Sequence, residues 1–428
     1  MIILGFALFE EVESMIIILD EHFPVLDNKS FLTHELNAIA KNGERTIIYP
    51  FSKNSNGEYY SYTFPRNICV REVCIRRTPW IIKLFYFFKA FFVQQFWQDI
   101  ELMKNKKVTL EGIKESLIFA ARTELYSQII FRDIKKNLRN DRRIVLYSYW
   151  MHVTAGVASK IKQRIKNSFF VTRAHGYDLY EERHQNGFIP GRRLIISSAD
   201  LICPVSKQGA DYLKKKYPWV DKKRIKPMYL GTFDHGLNDC KGYTNRIVSC
   251  SNIVQVKRIE LIVKALSKIT DMEIEWVHYG DGDQMDRIKS LANEKIPANI
   301  KYRFAGEVIN EHLMMEYKNK PFSYLINVSE SEGVPVSMME SMSFGIPVIA
   351  TNVGGVCEIV NEENGFLVEK DISPEQLSDV IRNAINISSE IYKNMRIKAR
   401  RTWEQRFDAN LNYKEFYRLI SYKKQRYK

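Results

Sequence analysis

Short apolar runs separated by helical patterns recur along nearly all of the 428 residues, and that alternation restricts the fold more than any other feature. It is the pattern of strands joined by crossover helices, an α/β architecture. In the first half, Ile16–Leu19, Thr46–Tyr49, Ile144–Tyr147, Phe169–Thr172 and Leu201–Val205 read as buried strands, and Phe31–Lys41 as a helix closed by Gly43. In the second half, Ile247–Ser251, Glu273–Tyr279, Ile300–Phe304, Tyr324–Val328 and Pro347–Thr351 repeat the theme. The polar stretch Gly231–Asn245, with Asp234, Gly236, Asn238 and Gly242, reads as a linker. A chain this long exceeds what one core serves, so two doubly wound domains are expected. Met1–Ser14 starts apolar but lacks a basic segment and runs into Glu10, Glu11 and Glu13, which argues against a signal peptide. The first convincing strand begins at Met15, which is either the true start or the end of an extension.

Charge is unevenly distributed. Residues 66–230 hold 33 Lys/Arg against 14 Asp/Glu, while residues 231–428 hold 27 of each. A basic first half suits phosphates or anionic lipid, and it also suits a plain solvated face. Within it, Trp80–Trp97 packs nine aromatics into eighteen residues. Lys83 and Lys89 oppose a membrane span, since each costs roughly 2.5–3.5 kcal/mol near a bilayer centre. An interfacial helix with both lysines reaching lipid phosphates is the expectation, aided by Lys104, Lys106, Lys107, Lys135, Lys136, Arg139, Arg142 and Arg143. Of the six cysteines only Cys69 and Cys74 lie close, with no nearby His pair, a poor zinc signature. Reduced structural thiols are expected.

The residues richest in chemistry run from Tyr324 to Val360. A strand ends near Val328, a loop follows, and a helix starts near Pro335 and ends at Gly345. Gly333 permits close approach to the backbone N–H groups of a helix N-terminus, an arrangement that binds phosphate. Glu332 and Glu340 flank this element. Eight helical residues rise about 12 Å, whereas glycosidase carboxyl pairs sit roughly 5–9.5 Å apart. Two grips on one elongated ligand fit better than an acid and base, and a structural role for both stays open. Pro347–Val360 then supplies a second strand, the Gly354-Gly355 turn and Glu358.

Together these segments resemble the donor site of glycosyltransferase family 4, with two glutamates separated by seven intervening residues and followed by Pro-Val-Ile-Ala-Thr, Gly-Gly and Glu-Ile-Val. The resemblance covers nearly the whole chain from Met15. Arg246–Arg258 is similar to the family's strand and loop for the donor diphosphate: Lys257 matches its lysine, and Asn252 stands where an arginine is usual. Arg258 stands where glycine is usual and is the candidate to replace that guanidinium. Tyr279–Gly282 and Phe304–Glu307, with Gly280 and Gly306, resemble glycine turns near the nucleotide. Phe170–Asp178 resembles the family's His-Gly motif, and Phe23–Phe31, with Asn28 and Lys29, its first loop.

The resemblance implies a GT-B fold: two Rossmann-like domains facing across a cleft. Residues 1–235 would form an acceptor-binding domain, 236–408 a nucleotide-sugar-binding domain, and 409–428 a C-terminal helix packing back toward the first. It further implies a retaining, hexosyltransferase-type enzyme using a nucleotide-diphosphate sugar. His175 and Glu332 would be catalytic, and Asn252, Lys257, Gly280, Gly306, Gly333, Val334, Pro335, Val336 and Glu340 would bind the donor. No cofactor, no metal, and no cation-holding Asp-x-Asp beside the diphosphate is expected, because lysine and backbone amides do that work. The acceptor would be a glycan on a polyprenyl diphosphate, in surface-polysaccharide synthesis such as lipopolysaccharide, capsule or exopolysaccharide. The protein would be cytoplasmic and peripheral on the inner face of an anionic membrane, without nucleic acid. A sugar-nucleotide epimerase of the same fold and a non-catalytic lipid-surface relative are the alternatives.

Overall fold

The computed structural model describes residues 14–21, 32–42, 44–51, 64–71, 78–104, 109–137, 143–238 and 244–422. Asn28, Lys29, Gly43, Cys74, Lys106, Lys107, Arg139, Arg142, Cys240 and Gly242 lie outside the described residues. The chain forms two compact units, one of Met1–Pro204, Ala210–Pro227 and Phe416–Lys428, the other of Val205–Gly209 and Met228–Glu415.

The first unit is built on strands β1 (Ser14–Asp20), β2 (Arg45–Pro50), β3 (Ile68–Val70), β4 (Arg143–Ser148), β5 (Ser168–Ala174) and β6 (Leu201–Pro204). They pair in parallel in the order β3-β2-β1-β4-β5-β6. The second unit repeats this plan with β7 (Arg246–Cys250), β8 (Ile274–Tyr279), β9 (Ile300–Gly306), β10 (Tyr324–Asn327), β11 (Val348–Thr351) and β12 (Gly365–Val368). Its parallel order is β12-β11-β10-β7-β8-β9. Read from the first strand of each unit, both sheets follow the Rossmann order 3-2-1-4-5-6. The order in which strands are added therefore reverses between β1 and β4, and again between β7 and β10. Loops leaving the carboxyl ends of those strands are where such folds hold ligands. The apolar runs become these strands because helices cover both faces of a parallel sheet; Ile16 to Leu19, for example, are fully buried.

A fully buried ion pair sits inside the first unit. Arg173, on β5, lies 2.7 Å from Glu35 of helix Leu32–Asn42, and neither side chain is exposed. Tyr147 donates to Glu35 (2.8 Å), Tyr417 does so at 3.3 Å, and the Phe416 ring lies 4.2 Å from the guanidinium. Burial raises the Glu35 pKa, and Arg173 opposes that rise.

The aromatic segment forms helix Trp80–Ala90, a break, and helix Gln94–Lys104. Ala90 and Phe96 pack with Leu117 and Ala120 of helix Leu110–Asn137, joined by Phe87. Trp80, Ile81, Phe85, Phe88, Phe92 and Trp97 remain 58–87% exposed. Lys83 is exposed, but Lys89 departs from the expectation: its ammonium sits 3.1 Å from Glu124, which also binds Lys160. A carboxylate with two ammonium partners holds Lys89 against the protein. Among the described residues, no helix is long and apolar enough to cross a membrane.

Removing one partner of a buried ion pair leaves the other uncompensated, which costs about 3–5 kcal/mol. Arg173→Met should lower unfolding stability by that order at neutral pH in chemical denaturation. The deficit should shrink as pH falls toward the ordinary glutamate range, where Glu35 takes up a proton.

Candidate functional site

In the second unit the loops after β7 and β10 meet. Lys257 closes a short turn following β7, and Glu332 lies in the loop Ser329–Pro335 that follows β10. Their ammonium and carboxylate are 2.5 Å apart, with Glu332 largely buried. The backbones are tied as well, since Glu330 N–H donates to Val256 C=O (2.8 Å). Helix Val336–Ser343 begins directly after Pro335, whose φ of −66° suits a helix entry. The N–H groups of its first turn have no carbonyl a turn earlier, so they present partial positive charge beside the pair. Gly345, at φ +71°, ends the helix.

The Gly354-Gly355 turn explains why two separate motif halves occur together. Gly355 N–H donates to Gly333 C=O (2.8 Å), and a Cβ on Gly354, at φ +55°, would run into the Glu332 carbonyl. Thr351 donates to Ser329 C=O (2.6 Å). The loop that carries Glu332, Gly333 and Val334 is thus buttressed by the loop after β11.

Glu340, on the helix, is buried and accepts a 2.6 Å hydrogen bond from Asn310. Burial pushes its carboxyl up to about 7, against the lowering effect of Asn310. Gly280 and Gly306 are brought together at the ends of β8 and β9, where Gly280 N–H donates to Gly306 C=O (2.8 Å). Gly280, at φ +136°, has no room for a Cβ beside Ser251 C=O, so its turn packs on the loop carrying Asn252. Asn252 is exposed.

Arg258 does not replace the missing arginine. It adopts the left-handed conformation (φ +50°, ψ +40°), the only non-glycine residue with positive φ among those described. That conformation is the reason glycine suits this position. Its guanidinium donates to Val328 C=O (2.6 Å) and Lys370 C=O (2.8 Å), so it clamps the end of β10 instead of facing a phosphate. Asp281 and Asp283 stand at Asp-x-Asp spacing in the turn after β8. Both are exposed, and Asp281 accepts from Gly282 N–H (2.7 Å). No group of three His, Cys, Asp or Glu among the described residues could hold a metal.

In the first unit, His175 follows β5 directly. Its ring packs against Tyr149 (4.9 Å) and Trp150 (4.3 Å) of the loop after β4, and it is 9% exposed. Asp178, three residues on, is buried against it. Sequence reasoning passed over Asp178, although it closes the quoted His-Gly segment. It also passed over Asn310, which no local pattern marks. Glu358, from the Glu-Ile-Val tail, accepts from the N–H groups of Lys207 and Gln208 and from the Tyr229 hydroxyl, which gives it a structural task.

Residues 238–402 match the family model of glycosyl transferases group 1. The chain is 27% identical over 268 residues to the N-acetyl-alpha-D-glucosaminyl L-malate synthase of Bacillus anthracis, covering 58% of this chain and 65% of that one. It is 33% identical over 124 residues to the O-antigen biosynthesis glycosyltransferase WbnH of Escherichia coli, covering 29% and 33%. The chain therefore spans between a third and just under two thirds of these relatives' lengths. The structure of Anabaena Alr3699/HepE in complex with UDP-glucose superposes with a TM-score of 0.66 at 14% identity, covering 95% of this chain and 99% of that one. The fold is GT-B. Its second unit carries the region that matches group 1 glycosyl transferases.

Two glycines separate conformation from crowding. Gly306, at φ +72°, has open space where a Cβ would stand, so Gly306→Ala should cost only the left-handed penalty of about 1–2 kcal/mol. Gly354→Ala should destabilise more, because the added carbon meets Glu332. Equal denaturation midpoints for the two variants would contradict the buttress.

Proposed function

We propose that the chain is a retaining glycosyltransferase of family 4 type, moving a hexose from a nucleotide-diphosphate donor to a glycan acceptor. The observation that carries this reading is the Lys257–Glu332 pair, on the two strands flanking the switch point of the second sheet. The ammonium and carboxylate neutralise each other until a donor exchanges them. The diphosphate then takes Lys257, and Glu332 is released to accept from sugar hydroxyls. Negative charge grows on the leaving diphosphate as the glycosidic bond loosens, and Lys257 with the first-turn N–H groups near Gly333, Val334, Pro335 and Val336 stabilises it. Neither a metal nor a cofactor takes part in this scheme. Glu340 holds the ribose hydroxyls, Gly280, Gly306 and Asn252 belong to the donor-binding loops, and His175 is the first unit's catalytic residue. The acceptor hydroxyl attacks on the face the diphosphate leaves, and the phosphate takes its proton, so configuration is retained.

UDP-glucose in the Anabaena protein supports a uridine nucleotide sugar, and the O-antigen relative supports a surface-polysaccharide acceptor. The exposed aromatic helix Trp80–Ala90 supports an acceptor carried on a polyprenyl diphosphate, with the protein peripheral on the inner face of the membrane. No Asp or Glu occurs from Val73 to Gln98, so nothing in that stretch repels anionic headgroups.

With a panel of UDP-sugars and a lipid-diphosphate acceptor, the full chain should release UDP. Lys257→Ala and Glu332→Ala should each reduce turnover by about 10²-fold or more. Because ribose hydroxyls need an ionised Glu340, UDP binding should tighten as pH rises through about 7, and Glu340→Gln should abolish that dependence. Failure of every donor to turn over would end the transferase reading. Sedimentation with anionic vesicles should fall sharply when Phe85, Phe88 and Phe92 are changed to Ser, while Lys89→Gln should matter little; the opposite ranking would remove the helix as the contact.

A further inference from the structure

His175 is buried among polar groups in a way its proposed role does not require, and Asp178 accounts for the arrangement. The two Asp178 oxygens accept separate backbone N–H groups: Oδ1 from His175 (2.7 Å) and Oδ2 from Met151 (2.7 Å). One carboxylate therefore stitches the loop after β4 to the loop after β5. Arg192 closes the stitch from the other side, donating to Asp178 C=O (2.7 Å) and Met151 C=O (3.4 Å). The loop after β4 also carries Tyr149 and Trp150, the two rings packed against the imidazole. Asp178 thus places both His175 and the walls around it.

The same Oδ2 faces His175 Nδ1 at 3.5 Å, an ion-pair distance, while both ring nitrogens are buried and neither makes a hydrogen bond among the described residues. A buried carboxylate is an acceptor only, so the nitrogen facing it is best protonated. Burial alone would raise the Asp178 pKa, but the donors from His175 and Met151 outweigh that and hold it below the ordinary range, so the acceptor stays ionised.

The geometry points to Asp178 as the positioning residue of His175, fixing the Nδ1–H tautomer so that Nε2 offers its lone pair to a ligand hydroxyl. Carboxylates that hold a histidine by its other nitrogen select tautomer and ring orientation in many sites. The chemical class of group met by Nε2 is then a hydrogen-bond donor, such as a hydroxyl of a sugar, and not a phosphate oxygen. This inference rests on the reading of His175 as a site residue.

The test is ¹⁵N NMR of the full chain with labelled histidine, His175 being assigned among the eight histidines by its loss in His175→Gln. Near pH 8, wild-type His175 should be the Nδ1–H tautomer. In Asp178→Asn the new amide donates toward Nδ1, so the tautomer should change to Nε2–H. Turnover should fall about 10- to 100-fold, the usual effect of losing a partner that orients a histidine, with KM for the donor changing less than kcat. A wild-type ring protonated on Nε2, or an unchanged tautomer in a folded Asp178→Asn protein, overturns the assignment. The wild-type spectrum decides the first point even if the variant does not fold. A changed tautomer with full turnover in both Asp178→Asn and His175→Gln would instead remove His175 from the reaction.

Discussion

The carbonyl of Glu332 and the backbone of Gly354 occupy the same small space, and the second unit depends on that close approach. Any side chain at Gly354 would push the two loops apart. With glycine there, the loop after β11 lies flat against the loop after β10, and Gly355 fastens it at Gly333. A loop held on two sides does not need to be ordered when a ligand arrives, so less of the interaction free energy goes into ordering it. The motif's two halves, twenty residues apart in sequence, are one mechanical object.

Electrostatics in this region are arranged by the sheet. Parallel strands point their carboxyl ends the same way, and the strand order reverses between β7 and β10, the position at which such sheets hold ligands. Lys257 enters from one strand and Glu332 from the next. Their mutual contact keeps either charge from standing alone in a partly desolvated place, which would be costly. Burial makes Glu340 hold its proton to higher pH, with Asn310, its side-chain partner among the described residues, opposing that.

Most of the fold was legible because buried parallel strands are continuous apolar runs, and ten of them could be read directly. β3 and β12 were not. Ile68–Val70 is three residues long and Gly365–Val368 opens on a glycine, so both are edge strands whose pairing comes from the neighbouring strand. At the site, the glutamate spacing and Lys257 were legible as a known pattern. The Lys89 bond to Glu124 was not, because the partners lie 35 residues apart on different helices. Asn310 acts through one hydrogen bond between two helices and Asp178 through two backbone N–H groups from separate loops, and nothing in the spacing of their neighbours marks such bonds.

Arg258 carries a consequence for its neighbour. A guanidinium anchored at two carbonyls, one at the end of β10 and one at Lys370, makes the peptide that bears Lys257 stiff. The Arg258 side chain acts as a rivet at this turn. The lysine's tether has fewer conformations to search, so its ammonium is aimed before any anion is present. The ion pair with Glu332 is thus made by a lysine whose backbone is already fixed.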